Sequence, residues 1–153
     1  MIPKDHGDWL RALLTDTEVL YIQTLLIAGR QGGASTSGRA AMLEDQADSL
    51  QVSIDVLGAR VAHIGTVTPS TSSAVSAPGS ALGSTLSALL DANRQYLRRV
   101  EVLLECWPSE DVATMSVLFA IETETARRVG FLLESTRHTL DSPSAHEPPL
   151  LLH

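Results

Sequence analysis

Histidine and cysteine are the side chains best suited to bind a transition metal or attack a substrate, and this sequence spaces them far apart. Two histidines four residues apart on a helix can share one metal ion. No two of the five histidines have that spacing: His6, His63, His138, His146 and His153. The single cysteine, Cys106, precedes Trp107 and lacks a recognised sequence frame for a nucleophilic thiol. The sequence therefore predicts neither a local histidine metal site nor thiol chemistry.

Carboxylates could serve a metal centre inside a helical bundle, where a glutamate followed three residues later by a histidine is the usual pattern. The third residue after Glu44, Glu101 and Glu122 is an alanine, a leucine and a threonine. A di-metal site within one bundle is therefore not expected. Four polar residues nevertheless fall on predicted apolar stripes. They form either a residual ion site or, as we favour, a hydrogen-bonded layer that fixes helix register: Thr17, Thr24, Asn93 and Glu122.

The composition fits one helical domain without an extended basic surface. The 153 residues are 44% hydrophobic and only 4% aromatic, which predicts an aliphatic core of close-packed helices. A net charge of −7 argues against electrostatic binding to nucleic acid or to an anionic membrane. With one cysteine, no secretory signal and no apolar run of about 18 residues, the sequence predicts a cytoplasmic location and no membrane span.

Apolar residues recur at spacings of three and four in four segments, which predicts four amphipathic helices. The segments cover about 8–30, 39–64, 82–106 and 110–138, and Ser109 is the predicted N-cap of the fourth. The first stripe contains Leu10, Leu13, Thr17, Leu20, Thr24 and Ile27. The fourth contains Val112, Met115, Phe119, Glu122, Ala126, Val129 and Leu133.

Between the second and third segments, residues 66–80 are rich in serine, threonine, alanine and proline. This stretch is too long for a hairpin between adjacent helices and predicts a long crossover. The expected fold is therefore an all-α, ferritin-like four-helix bundle with one long connection between helices 2 and 3. The bundle domain covers 1–140, and an irregular tail covers 141–153. The tail ends in an apolar run, Leu150–Leu152, to which the sequence assigns no role.

Two motifs resemble the Dps family of mini-ferritins. Residues 19–24, VLYIQT, resemble the first-helix motif of that family. Residues 53–61, SIDVLGARV, followed by Ile64 and Gly65, resemble its second-helix signature. The spacing between the two motifs matches without a gap. The resemblance covers about residues 8–138 and implies a four-helix subunit, twelve of which close into a hollow shell.

The resemblance also implies an iron site between two-fold related subunits, where the family oxidises Fe(II), usually with hydrogen peroxide. Its ligands are two histidines and a carboxylate from one subunit, and an aspartate and a glutamate from the other. Carried over by position, the histidines fall on Ala28 and Ala40, and the glutamate falls on Ala59. The two other carboxylate positions fall on Glu44 and Asp55, which retain acidic side chains.

Glu44 and Asp55 cannot share one metal ion within a subunit. Eleven residues of helix separate them by three turns, or about 16 Å. Across a two-fold axis, Glu44 of one copy could approach Asp55 of the other. Two carboxylates without imidazole make a poor Fe(II) site, however. Iron is therefore the one cofactor that the resemblance suggests, and we expect the usual ferroxidase activity to be nearly absent.

Other features of the family are weak in this sequence. Family members that bind DNA often use a lysine-rich tail, whereas the N-terminal segment here has only Lys4. Arg98-Arg99 and Arg127-Arg128 are pairs and not a basic stripe, so DNA binding is not expected. The position that best matches a pore aspartate of the family is Ser116, which weakens the case for iron entry.

These observations leave two main functions. The preferred one is a Dps-like shell protein, a homo-oligomer or part of a mixed shell with an active paralogue, that stores iron passively or only builds the shell. The alternative is a non-catalytic interaction or scaffold subunit that keeps the bundle and binds another protein through its lost-site surface and tail. An enzyme with a site outside these patterns is the least supported interpretation.

Overall fold

The computed structural model describes residues 4–30, 37–65 and 85–141, and these ranges contain four α-helices and no strand. The helices are α1 (Lys4–Arg30), α2 (Ser37–Gly65), α3 (Leu86–Cys106) and α4 (Val112–Asp141). The predicted all-α class and its four helical segments are thereby confirmed. None of these helices is both long enough and apolar enough to cross a membrane. The 66–84 connection and the tail with Leu150–Leu152 lie outside the described residues.

The beginning of α1 lies against the ends of two other helices. Gly7 packs against Ile64 near the end of α2. The His6 ring nitrogen Nε2 lies 3.2 Å from the backbone carbonyl of Cys106, the last residue of α3. Both α2 and α3 therefore run antiparallel to α1.

The beginning of α4 also meets the end of α2, because Arg60 Nη2 donates to Asp111 Oδ1 at 2.9 Å. Further along, Arg128 of α4 contacts Asn93 near the middle of α3. Four pairs of helices pack side by side: α1–α2, α3–α4, α1–α3 and α2–α4. The described parts of α1 and α4 do not pack against each other, and neither do those of α2 and α3. The helices therefore occupy four corners, with α1 and α4 pointing one way and α2 and α3 the other.

The predicted stripe of α1 is confirmed. All six of its residues are buried, including the two threonines, whose hydroxyls donate to carbonyls one turn earlier. A threonine can enter a helical core in this way because its hydroxyl hydrogen stays bonded within the helix. On α2, Leu43, Leu50 and Leu57 recur at a spacing of seven and are fully buried.

The predicted stripe of α4 is wrong by about one position. Val112 is 68% exposed, and Phe119 and Ala126 are also exposed. The residues that face the core are instead Thr114, Leu118, Ile121, Thr125, Arg128 and Leu132. Half of this stripe is polar, and hydrophobicity alone therefore selects the wrong face. Hydrogen bonds to neighbouring side chains make the polar stripe stable in the core.

Asp111, and not Ser109, stands directly before α4. Its Oδ1 accepts a hydrogen bond from the backbone N–H of Thr114 at 3.1 Å, which satisfies a free donor in the first helical turn. At the start of α3, Thr85 caps the helix by accepting from the backbone N–H of Ala88 at 3.1 Å. Both helices therefore begin at side chains suited to that position.

Candidate functional site

The five positions suggested by the family resemblance lie on the α1–α2 hairpin. On α1, Ala28 is buried. On α2, Ala40 is partly buried, whereas Glu44, Asp55 and Ala59 are exposed. The two retained carboxylates therefore reach solvent from the outer surface of α2.

The antiparallel packing of the hairpin divides these positions into two groups. Gly7 of α1 lies beside Ile64 of α2. Because the two helices are antiparallel, Ala28, which is further along α1, lies about level with Glu44. Ala40 lies one turn before Glu44, so these three positions share one end of the hairpin. Asp55 and Ala59 lie about three turns away along α2. A single subunit thus cannot bring the two groups together.

Within the described part of one subunit, neither retained carboxylate belongs to a group of three possible metal ligands. Asp55 accepts a hydrogen bond from the Nε2 of Gln51 at 3.2 Å, one turn earlier on α2. Across residues 4–30, 37–65 and 85–141, no three histidine, cysteine, aspartate or glutamate side chains lie close enough together to hold a metal ion. Whether Glu44 and Asp55 bind a cation between two copies stays a prediction.

Beside these positions, the last turns of α1 expose an apolar surface that we call the α1 outer stripe. Ile22 follows Val19 by three residues, and Leu25 and Leu26 follow Ile22 by three and four, so all four lie on one side of α1. Ile22 is 50% exposed. Apolar residues grouped on one surface commonly mark an interface. The sequence analysis missed this surface, although its signal was a second set of apolar positions outside the buried stripe of α1.

The centre of the bundle contains a buried arginine, Arg128, with only 1% of its surface exposed. Its Nε donates to Asn93 Oδ1 at 3.0 Å, and its Nη2 donates to Thr125 Oγ1 at 2.9 Å. Nη1 has no hydrogen-bond partner among the described residues. No described carboxylate pairs directly with this guanidinium, which is unusual for a buried charge.

Burial lowers the pKa of Arg128 to about 10, an effect partly opposed by Tyr96 and Glu124. At neutral pH the guanidinium is therefore still protonated. Burial also raises the pKa of Tyr96 to about 12, so its phenol is neutral. The Tyr96 oxygen lies 2.7 Å from Thr17 Oγ1, whose own hydrogen points to the Leu13 carbonyl, so Tyr96 is the donor.

A second unpaired group lies at the same level as Arg128. Ser49 of α2 donates to Glu124 of α4 at 3.1 Å. Because α2 and α4 are antiparallel, the residue one turn before Ser49 lies level with the residue one turn after Glu124. These residues are Gln46 and Arg128. Gln46 is buried, and neither its amide oxygen nor its amide nitrogen has a hydrogen-bond partner among the described residues.

The bundle centre is therefore a layer of neutral polar groups around one fixed positive charge. Its members come from all four helices: Thr17, Thr24, Gln46, Asn93, Tyr96, Thr125 and Arg128. A metal cation placed here would meet a protonated guanidinium and no carboxylate, so the layer opposes metal binding. The predicted polar layer is correct for Thr17, Thr24 and Asn93, whereas Arg128 was interpreted only as half of a surface pair. The available signal was that Arg128 follows Ile121 by seven residues and Thr125 by three, which places it on the same face of α4.

Glu122, the remaining member of the predicted layer, lies outside the core. It lines a groove of about 390 Å³ between α3 and α4, together with Glu101, Glu105, Leu104 and Phe119. The groove is acidic, but acidic side chains alone do not define a site.

At one end of the bundle, Asp111 holds three elements together. It accepts hydrogen bonds from Trp107 Nε1 at 3.1 Å and from the backbone and hydroxyl of Thr114, and it pairs with Arg60. Burial raises the pKa of Asp111, but the hydrogen bonds from Thr114 and Trp107 and the charge of Arg60 outweigh burial and leave the pKa below its ordinary value. The arrangement is structural, because these contacts join α2, the end of α3 and the start of α4.

Comparison with known proteins gives no further assignment. Family models, curated proteins and solved structures were each searched, and none of the three gave a match. The functional conclusion therefore depends on the residues and their arrangement.

Proposed function

We propose that this chain is a non-catalytic, cytoplasmic subunit of a Dps-like shell, in which it contributes structure and at most passive contact with iron. The α1 outer stripe is the observation that carries this proposal. It lies on the hairpin on which the family resemblance places the contacts between two-fold related subunits. Covering this stripe with a second copy removes four apolar side chains from water.

The directions of the four helices support the ferritin-like part of the proposal. α2 and α3 run the same way at opposite corners. The end of α2 and the start of α3 therefore lie at opposite ends of the bundle, which supports the long crossover that we propose between them. A simple up-and-down bundle would instead have α2 and α3 antiparallel.

Two-fold symmetry also gives the retained carboxylates a plausible setting. In an isologous interface, each contact made by one copy is repeated by the other. Glu44 of one copy can then approach Asp55 of the other at two equivalent places. Without imidazoles at positions 28 and 40 and a carboxylate at 59, such a pair holds a hard cation weakly and does not favour Fe(II) oxidation.

The solution mass of the purified chain, measured by light scattering behind a sizing column, tests the assembly. Iron content read on the same peak separates a store from an empty shell. The proposal expects a mass near twelve subunits. A mass of one or two subunits would contradict the shell and favour the interaction subunit that keeps only the bundle.

Restoring the missing ligands tests the assigned positions. The triple variant Ala28→His, Ala40→His, Ala59→Glu is expected to bind Fe(II) more tightly than the parent chain. The same triple variant with Asp55→Asn is the matched control and is expected to lose that gain. A folded triple variant that binds no more Fe(II) than the parent would show that the positions were assigned wrongly.

A further inference from the structure

A groove between α1 and α3 lies away from the α1 outer stripe and from the polar layer, and neither part of the proposed function uses it. Its volume is about 380 Å³. Leu13 and Leu103 form a buried floor, and Trp9 and Val102 stand beside it with 45% and 56% of their surfaces exposed. A concave apolar surface of this size is in the range of small-molecule sites.

The groove has a net positive rim on a chain whose net charge is −7. Arg99 pairs with Asp16 across the two helices, so these two charges largely cancel. Arg98, also in the lining, is exposed, and the structure gives it no ion pair or hydrogen bond among the described residues. One free cation therefore stands at the edge of an otherwise apolar groove.

The dimensions of the groove favour a small ligand over a helix. Its α1 side extends from Trp9 to Asp16, a rise of about 10 Å along the helix. Two turns of a partner helix would fill that length and would be held by few contacts. A single extended hydrocarbon chain fits the same length and leaves its end group near the rim.

We propose that the groove between α1 and α3 binds an amphiphilic anion, with an apolar chain on Leu13, Leu103, Trp9 and Val102 and a carboxylate on Arg98. The chain of the ligand displaces water from apolar surface, which supplies most of the affinity. The charge of Arg98 selects anions over cations of the same length.

Titration calorimetry of the full chain with decanoate, below the concentration at which it forms micelles, tests the site. We expect saturable binding of decanoate at one site per chain, clearly weaker binding of decyltrimethylammonium, and no saturable binding of acetate, which lacks the apolar chain. Because Trp107 is only 4% exposed, Trp9 is the expected source of any change in tryptophan emission on binding. Equal binding of the cationic and anionic probes, or binding that never saturates, would overturn the proposal.

Matched variants locate the site. Arg98→Gln is expected to weaken decanoate binding about threefold to fivefold, the size of one solvent-exposed ion pair. Arg137→Gln removes an exposed arginine of α4 and is expected to leave binding unchanged. Equal loss in both variants would point to the overall charge of the chain and overturn the assignment to Arg98.

The apolar part of the groove has its own pair of variants. Val102→Glu places a carboxylate where the ligand chain would lie and is expected to weaken binding about tenfold or more, equivalent to 1.4 kcal/mol. Val112→Glu changes another well-exposed valine, at the start of α4, and is expected to bind as the parent does. If Val102→Glu binds decanoate normally, the ligand does not occupy this groove.

Discussion

Proteins are usually apolar inside and polar outside. At the bundle centre and on the outer surface of the α1–α2 hairpin, this arrangement is locally reversed. The centre buries a guanidinium, two amides and several hydroxyls, whereas the hairpin exposes four large aliphatic side chains on α1. Polar groups in a core fix the alignment of helices, because each must find its own partner. Apolar groups outside a core favour contact with another surface. The comparison indicates that the centre fixes the alignment of the four helices, and we propose that the outer stripe mediates assembly.

The largest effect is expected from removing the charge at the centre. Arg128→Ala removes the guanidinium that donates to Asn93 and Thr125, and it opens a cavity. We expect the free energy of unfolding to fall by about 3–5 kcal/mol. Urea unfolding monitored by circular dichroism measures this change.

A double variant separates the polar network from simple packing. Arg128→Met with Asn93→Leu fills similar space without buried charge, and we expect its stability to stay within about 1 kcal/mol of the parent or to rise. If the double variant is as unstable as Arg128→Ala, the guanidinium does more than fill space and satisfy Asn93.

Asp111 gives the next largest effect. Asp111→Ala removes the N-cap of α4 and the partner of Arg60 and Trp107, and we expect a loss of about 2–3 kcal/mol in unfolding free energy. Ser109→Ala, two residues earlier and outside the cap, is the control and is expected to change stability by less than about 0.5 kcal/mol. A larger effect at Ser109 would show that Ser109, as the sequence predicts, is the N-cap of α4.

The same carboxylate predicts a pH dependence. The pKa of Asp111 in the folded protein lies below its ordinary value of 3.8, so its stabilising contribution is complete above that value and is lost as the pH falls through the folded pKa. Acid unfolding of the parent is therefore expected to be steeper below about pH 4 than that of Asp111→Asn. Identical acid profiles for the two proteins would contradict a lowered pKa.

Gln46 offers a smaller change of opposite sign. Its buried amide has no partner among the described residues, so Gln46→Leu removes a desolvation cost without breaking a described hydrogen bond. We expect stability to rise by up to about 1 kcal/mol. A loss of more than that amount, measured by the same urea unfolding, would show that the amide has a partner in the folded protein.

The extent to which the sequence predicted this molecule differs from helix to helix. The α1 stripe could be identified because apolar residues mark its buried face and the two threonines keep their periodic positions. The α4 stripe could not, because Thr114, Thr125 and Arg128 are buried while Val112 and Phe119 are exposed. Periodicity detects a helix and a hydrophobic face, but a buried face that depends on hydrogen bonds to α2 and α3 becomes visible only when the helices are packed.

The candidate sites show the same limit. The absence of imidazoles at positions 28 and 40 and of a carboxylate at position 59 could be deduced directly from residue types. The groove between α1 and α3 depends on how those helices are aligned, and so does the placement of Gln46 level with Arg128. One sequence does not provide that alignment.

The most direct test of the central claim, that the α1 outer stripe joins copies of this chain, compares the solution masses of Ile22→Glu and Val112→Glu. Both variants place a carboxylate at a well-exposed apolar position, and neither is expected to change the stability of the bundle by more than about 0.5 kcal/mol. The account predicts that Val112→Glu assembles as the parent does, whereas Ile22→Glu falls to single subunits. If Ile22→Glu keeps the parent's mass, the stripe does not join subunits and the proposed assembly is wrong.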